Sequence, residues 1–247
     1  EKSITNSEGA DASWGCAEIG LYTSHGVAAE YRSTHSGLSL SLIAGQGENM
    51  QRDYAYSSKR FRRDLRTPES VGKEAAERTL RRLNPRKIPS ASMPILFEPR
   101  VGRQLLGAFA GAASGGAIAR GTSFLKGDMD KAVFAKGITI IDDPLMKRGL
   151  ASRPCDGEGV TVSTREMVRN GTLMSWFLDT RSAHQLGLKT TGHASRGLSS
   201  APHPSASNLY IAAGDITPDA LLKETGKALY ITETFGHGVN LITGDYS

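Results

Sequence analysis

Cysteine is scarce: 247 residues carry only Cys16 and Cys155. Two cysteines build no disulfide framework, and no Cys-x-x-Cys pair is present for metal or redox chemistry. A reducing cytoplasm is the expected compartment, although one bridge in an exported protein also fits. Long apolar runs are missing as well. No uninterrupted stretch approaches the ~18 residues of a membrane span, and nothing reads as a signal peptide. Nor is there a large excess of one charge. The formal value of +5 permits an acidic partner without demanding one. The histidines are His25, His35, His184, His193, His203 and His237. No two have the His-x-x-x-His spacing that sets two imidazoles on one helical face for zinc. A loop would have to gather His184 or His193 with Cys155, Asp156 or Glu158 to make a metal site. Neither a phosphate-binding Gly-x4-Gly-Lys-Ser/Thr loop nor a Gly-x-Ser-x-Gly nucleophile elbow occurs.

Glycine is abundant, 28 residues against a usual ~7% of a chain, which points to tight turns and close backbone contacts. The length suits one large domain or two small ones, able to bury a core without staples. The chain begins at Glu1 and stops at "ITGDYS" just after an apolar run. Both ends read as cuts in a longer protein.

Residues 1–58 read as antiparallel strands. Leu38, Leu40 and Leu42 alternate with Ser39 and Ser41, the period of a half-buried strand. "TNSEGA" (5–10) and "YTSHGV" (22–27) both read as glycine-bearing hairpin turns. "TPESVGKEAAERTLRRL" (67–83) is the clearest helix: Thr67 caps it, Pro68 takes the first helical position, and Glu69 faces the positive end of the dipole. "TPDALLKETGKA" repeats that opening. "GITIIDDP" and "LYIAAG" read as strands, with Asp142-Asp143-Pro144 as a turn or cap rather than an acid/base pair. Strands and helices do not alternate regularly, so the expected class is α+β with mainly antiparallel sheets. A strand-rich segment plus helix is expected over 1–94, and a C-terminal domain over 95–247.

"LLGAFAGAASGGAIARGTSF" (105–124) is the most unusual stretch. From Leu105 to Ala119 it is only about 15 residues, too short to cross a bilayer. Gly107, Gly111 and Gly115 recur every four residues and predict one buried helix with a flat face for close packing. "KRFRRDLR" (59–66) holds five cations but one Phe and one Asp. It reads as a solvated basic loop or helix start rather than a nucleic-acid surface. "DGEGV" (156–160) lacks the remaining oxygen ligands of a calcium loop and reads as a turn.

Several stretches together resemble the TldD/PmbA family, in its PmbA (TldE) branch, historically "modulator of DNA gyrase". They are "TNSEGA", "MQRDYAYSS", "RTPESVGKEAAERTLRRLNPRK", "GGAIARGTSFL", "RGLASRPCDGEGV", "LDTRSAHQLGLKTTGHASRG" and "ITGDYS". They run in order along nearly the whole chain. The resemblance implies a longer protein, with a further domain before Glu1 and more chain after Ser247.

In the TldD branch a His-Glu-x-x-x-His motif binds zinc shortly before an Arg-Gly-Thr-Ser segment. Here Arg120-Gly121-Thr122-Ser123 matches that segment. The family spacing then sets the His-Glu pair on Leu106 and Gly107 and the second His on Gly111. The resemblance therefore implies no catalytic residue and no metal ligand in this chain, with zinc expected in a TldD-like partner. It implies a zinc-free subunit of a two-subunit metallopeptidase, a heterodimer or else a homodimer alone, acting on unfolded peptides. Strand addition at a sheet edge is the expected mode of peptide binding. Arg120, Asp156, Glu158 and His193 are the candidate substrate or interface residues. Two other readings stand beside this one: an independent peptidase with atypical metal ligands, and a regulatory protein acting on DNA gyrase or nucleic acid.

Overall fold

The computed structural model describes residues 3–235 and 238–245. His237 and the end of "ITGDYS" lie outside the described residues. The chain divides into two compact units. One gathers the residues up to Gly20 with Glu30–Ser90 and Lys147–Leu150. The other gathers Leu21–Ala29, Ala91–Met146 and the described residues from Ala151 onward.

The first unit is built on β1 (Ile4–Tyr22), β2 (Ala28–Ala44) and β3 (Gln51–Lys59), paired in that order. β2 and β3 run antiparallel, with Leu38 opposite Ser57 and Leu42 opposite Asp53. α1 (Pro68–Arg81) packs on this sheet through Val71 and Ala75. These meet Ala55 and the leucines of β2, Leu38, Leu40 and Leu42. The alternation in the sequence thus marks the face that α1 covers. Thr67 caps α1 as expected, its Oγ1 accepting from Ser70 N at 3.2 Å. Thr79 lies fully buried on the helix and donates to Ala75 O at 2.7 Å.

One turn expectation is corrected here. "TNSEGA" is no turn but part of β1, whose length runs to 19 residues. Gly9 takes its positive φ of 116° inside that exposed strand. Residues 28–44 form one unbroken strand. Only the segment around Gly26 turns, with Gly26 N donating to Thr23 O. The basic stretch is exposed at Lys59, Arg62, Arg63 and Arg66, as expected of a solvated loop, with one exception. Arg60 is half-buried and donates to the carbonyls of Gly149 (2.8 Å) and Leu150 (2.5 Å).

The second unit carries β4 (Ile95–Phe97), α2 (Pro99–Ala112), α3 (Gly115–Arg120), β5 (Ile140–Asp142), β6 (Arg165–Arg169) and β7 (Thr172–Leu173). Then come α4 (Thr180–Gln185), β8 (Ala194–Ser195), β9 (His203–Pro204), β10 (Leu209–Ile211), α5 (Pro218–Thr225) and β11 (Leu229–Ile231). The sheet β10-β5-β6-β7 is antiparallel throughout. β8 and β9 form a second antiparallel pair, and β4 and β11 pair parallel. The fold is α+β with mainly antiparallel sheets. Its core gathers Phe109, Ile118, Ile140, Met167, Leu173 and Phe177, with Phe109 edge-on to Phe177 at 6.5 Å. Asn170 and Gly171, both at positive φ, close the tight β6–β7 turn. A Cβ on Gly171 would stand 2.5 Å from Phe134 O, so this turn needs glycine for space as well as for conformation.

Candidate functional site

The stretch 105–119 is two helices, not one. α2 ends at Ala112, and Ser114 is extended (φ −67°, ψ 125°) before α3 begins. A short parallel bridge causes the break. Ser114 pairs with Phe177, Gly115 N donates to Phe177 O at 2.8 Å, and Phe177 N donates to Ala113 O at 3.0 Å. An i→i+4 helical ladder cannot satisfy those groups at the same time.

The expectation of a flat glycine face is corrected with it. Gly107 is exposed, and a Cβ there would meet nothing within 4 Å. At Gly111 it would meet the Leu241 methyls at an ordinary 3.7 Å. Gly115 is the place of close approach: a Cβ would lie 2.5 Å from Ser182 Oγ, 2.6 Å from Leu178 Cδ2 and 2.9 Å from Phe177 O.

Leu106 is partly buried and packs against the core. Leu106, Gly107 and Gly111 therefore offer a hydrocarbon branch and two bare backbones where the family spacing sets two imidazoles and a carboxylate. None of the three has a side-chain donor atom for zinc, so this segment does not fit the metal. Among the described residues, no group of three or more His, Cys, Asp or Glu side chains is arranged to hold a metal ion.

The sequence-chosen polar residues split. Asp156, Glu158 and His193 come together; Arg120 stands outside their hydrogen bonds. The "DGEGV" turn forms as expected, organised by Asp156, which is 2% exposed. Its Oδ1 accepts from Glu158 N and Val160 N, both at 2.9 Å, and its Oδ2 from Ala194 N at 3.1 Å. Glu158 Oε2 accepts from Thr180 N at 2.8 Å, in the first turn of α4. There a carboxylate meets the positive end of the helix, beside the Asp179–Ser182 capping box.

His193, also 2% exposed, sits between two partners. Nε2 faces Asp142 Oδ2 at 3.2 Å and Nδ1 faces Thr191 Oγ1 at 2.8 Å. Asp142 is fully buried and accepts from Ser207 N at 2.7 Å and Ser207 Oγ at 2.5 Å. Phe177 meets the imidazole edge-to-face at 5.0 Å. Both ring nitrogens are thus occupied inside the protein. The arrangement fixes the 155–161 and 190–196 segments; it presents no base to solvent, and general-base chemistry needs direct reach to a substrate proton.

Sequence reasoning missed Asp142, which it assigned to a turn. Asp143 does serve that turn, accepting from Leu145 N and Thr164 Oγ1. Arg120 is exposed in the last turn of α3, favourably placed against the helix dipole. Next to Asp156, burial first and then the Asp156 charge push the Cys155 thiol above its ordinary pKa.

No helix among the described residues is long and apolar enough to cross a membrane. Residues 1–83 match the PmbA/TldA metallopeptidase central domain, and residues 90–247 match the PmbA/TldA metallopeptidase C-terminal domain. The chain is 40% identical over 249 residues to Metalloprotease PmbA of Escherichia coli O157:H7, covering 100% of this chain and 53% of that protein. It is 35% identical to the Metalloprotease PmbA homolog of Haemophilus influenzae, again over 100% of this chain and 53% of the other. The chain thus spans about half the length of these relatives. A crystal structure from Thermotoga maritima, described as a proposed modulator of a DNA gyrase, superposes with a TM-score of 0.90 at 26% identity. That match covers 100% of this chain and 56% of the other. TldE from Thermococcus kodakarensis shares the fold, with a TM-score of 0.75 at 20% identity over 92% of this chain and 51% of that one. With both family domains matched in sequence and the architecture matched in space, the chain belongs to the PmbA/TldD metallopeptidase family.

Proposed function

We propose that the protein is the zinc-free subunit of a two-subunit metallopeptidase, acting on unfolded peptides together with a zinc-bearing, TldD-like partner in the cytoplasm. One observation carries this reading. Leu106, Gly107 and Gly111 supply no ligand and no base where the family spacing sets them, while the surrounding family fold is kept. The chemistry of the metal then belongs to the partner, and this chain contributes binding surface. The exposed Arg120 and the half-buried Glu158 lie on the surface that we assign to substrate or partner, while the buried Asp156 and His193 hold its loops from inside.

The test is reconstitution with unfolded peptides. This protein alone and the partner alone should each cleave slowly, and the mixture at least about tenfold faster, the size of effect that positioning supplies. Equal cleavage by the partner without this chain would overturn the reading. The description of the Thermotoga relative as a modulator of a DNA gyrase favours a second reading, regulation of that enzyme. Salt-sensitive DNA binding by the purified protein would support it. The name of the E. coli relative favours a third, a peptidase in its own right. Metal-dependent cleavage by this chain alone would support that.

A further inference from the structure

The first unit holds a cavity of about 780 Å³, bounded by β1, β2 and the segment that leads into α1. Its polar groups are not used up by the fold. Ser36 lines it, is 2% exposed, and its Oγ has no hydrogen-bond partner. A buried hydroxyl without a partner is unfavourable until an acceptor arrives, and native structures keep few of them. Arg62 also lines the cavity, and its guanidinium has no hydrogen bond or ion pair among the described residues. Arg66, its neighbour there, is by contrast held by Glu74 and by Ser70. The N-terminus of α1 opens onto the same space through Thr67 and Pro68, adding the positive end of a 14-residue helix. Trp14, on β1, stands at the rim 72% exposed. Leu38 and Leu65 supply an apolar wall.

We propose that this cavity binds a peptide carboxylate. The Arg62 guanidinium is its counter-ion, Ser36 Oγ donates a hydrogen bond to it, and Trp14 covers the apolar side chain beside it. The proposal rests on the peptide-handling reading given above. One available guanidinium, a hydroxyl donor and a helix N-terminus match a single negative charge. A nucleic-acid strand would need several cations to neutralise its phosphates. Here Arg66 is paired, and Arg63 lies over the Phe61 ring at 5.4 Å. The exposed indole beside a charged anchor is the amphipathic contact that peptide side chains use.

The experiment is a fluorescence titration of the protein with Trp14 as the single tryptophan, Trp176 and any tryptophan outside residues 1–247 being replaced by Phe. The probes are an alanine–leucine tetrapeptide with a free C-terminus, its C-terminal amide, and an amide carrying one internal glutamate. The free acid should shift Trp14 emission and bind at least about tenfold tighter than the plain amide, as loss of a charge-assisted contact implies. If the glutamate amide binds as the free acid does, the carboxylate is a side chain; if it does not, it is the terminus. Arg62→Gln should cost about tenfold in affinity. Ser36→Ala should weaken binding without lowering the melting temperature, because it removes an unpartnered hydroxyl; a merely structural serine would give the reverse.

Equal binding of free acid and plain amide, or no binding of either, overturns the proposal. So does displacement of the peptide by an oligonucleotide. The two readings fail separately. Partner-dependent cleavage that Arg62→Gln leaves untouched, with no binding at Trp14, overturns the cavity alone. Carboxylate binding with cleavage that ignores this chain overturns the subunit reading alone.

Discussion

The two polar regions of this molecule differ in how their hydrogen bonds are used. In the second unit, Asp142, Asp156 and His193 are buried and each is matched: carboxylates to backbone N–H groups and Ser207, the imidazole to Asp142 and Thr191. In the first unit, the cavity leaves a buried serine hydroxyl and an arginine without partners. A fully matched network rigidifies loops, whereas an unmatched one is a place where something can bind. The cluster of Asp142, Asp156 and His193 is therefore a structural one, and the cavity beside Ser36 offers open chemistry.

The largest expected effect breaks the matched side. Asp142→Ala leaves His193 Nε2, Ser207 N and Ser207 Oγ without their acceptor in a dry interior. It should destabilise the protein by about 3 kcal/mol, read as a lowered denaturant midpoint with an unchanged m-value. Next, Gly115→Ala drives a methyl against Ser182, Leu178 and the Phe177 carbonyl. A helix start pinned by two backbone hydrogen bonds cannot easily retreat, so about 2 kcal/mol is expected. Gly111→Ala, in contrast, should change stability by under about 0.5 kcal/mol, because the space beside it is ordinary.

The two cysteines sharpen the comparison, one in each unit. Cys16 is exposed; Cys155 is buried, with its thiol pKa raised. At neutral pH a maleimide should label Cys16 at least about tenfold faster. The sign for stability follows from the raised pKa: the Cys155 contribution is intact below the ordinary thiol value of 9.0 and declines as pH rises through the folded-state value. The smallest effect belongs to Glu8 on β1. The Ser41 hydroxyl, then Arg52, hold its carboxyl below the ordinary value, so any support it gives is present above pH 4.5 and fades as pH falls. Because Glu8 and Arg52 are both exposed, Glu8→Gln should leave the melting curve at pH 7 almost unmoved.

What was legible in the sequence was local. Thr67-Pro68 and Thr217-Pro218 announced two helix starts because an N-cap bond forms within a few residues, and both caps are made. Leu38, Leu40 and Leu42 announced the covered face of a strand by period alone. The family resemblance was legible because its motifs are long and in order. The misreadings came from distance. The break between α2 and α3 is imposed by Phe177, a residue far along the chain, and glycine spacing carries no trace of it. Asp142 reaches His193 across 51 positions, so the strand-ending "IIDDP" looked like a turn only. Ser36 and Arg62 gave no signal at all, since a serine in an alternating strand and an arginine in a basic run are both unremarkable. Gly9 misled in the opposite sense: its glycine suggested a turn, but an exposed strand accommodates the positive φ as well as a turn does.

The central claim, that this chain does not hold the catalytic metal, is tested most directly by elemental analysis of the full-length protein and the proposed TldD-like partner, purified apart and dialysed without chelator. The account predicts zinc well below one equivalent in this protein and near one equivalent in the partner. One tightly held zinc per molecule of this protein, lost on substituting His184 or His193, would contradict it.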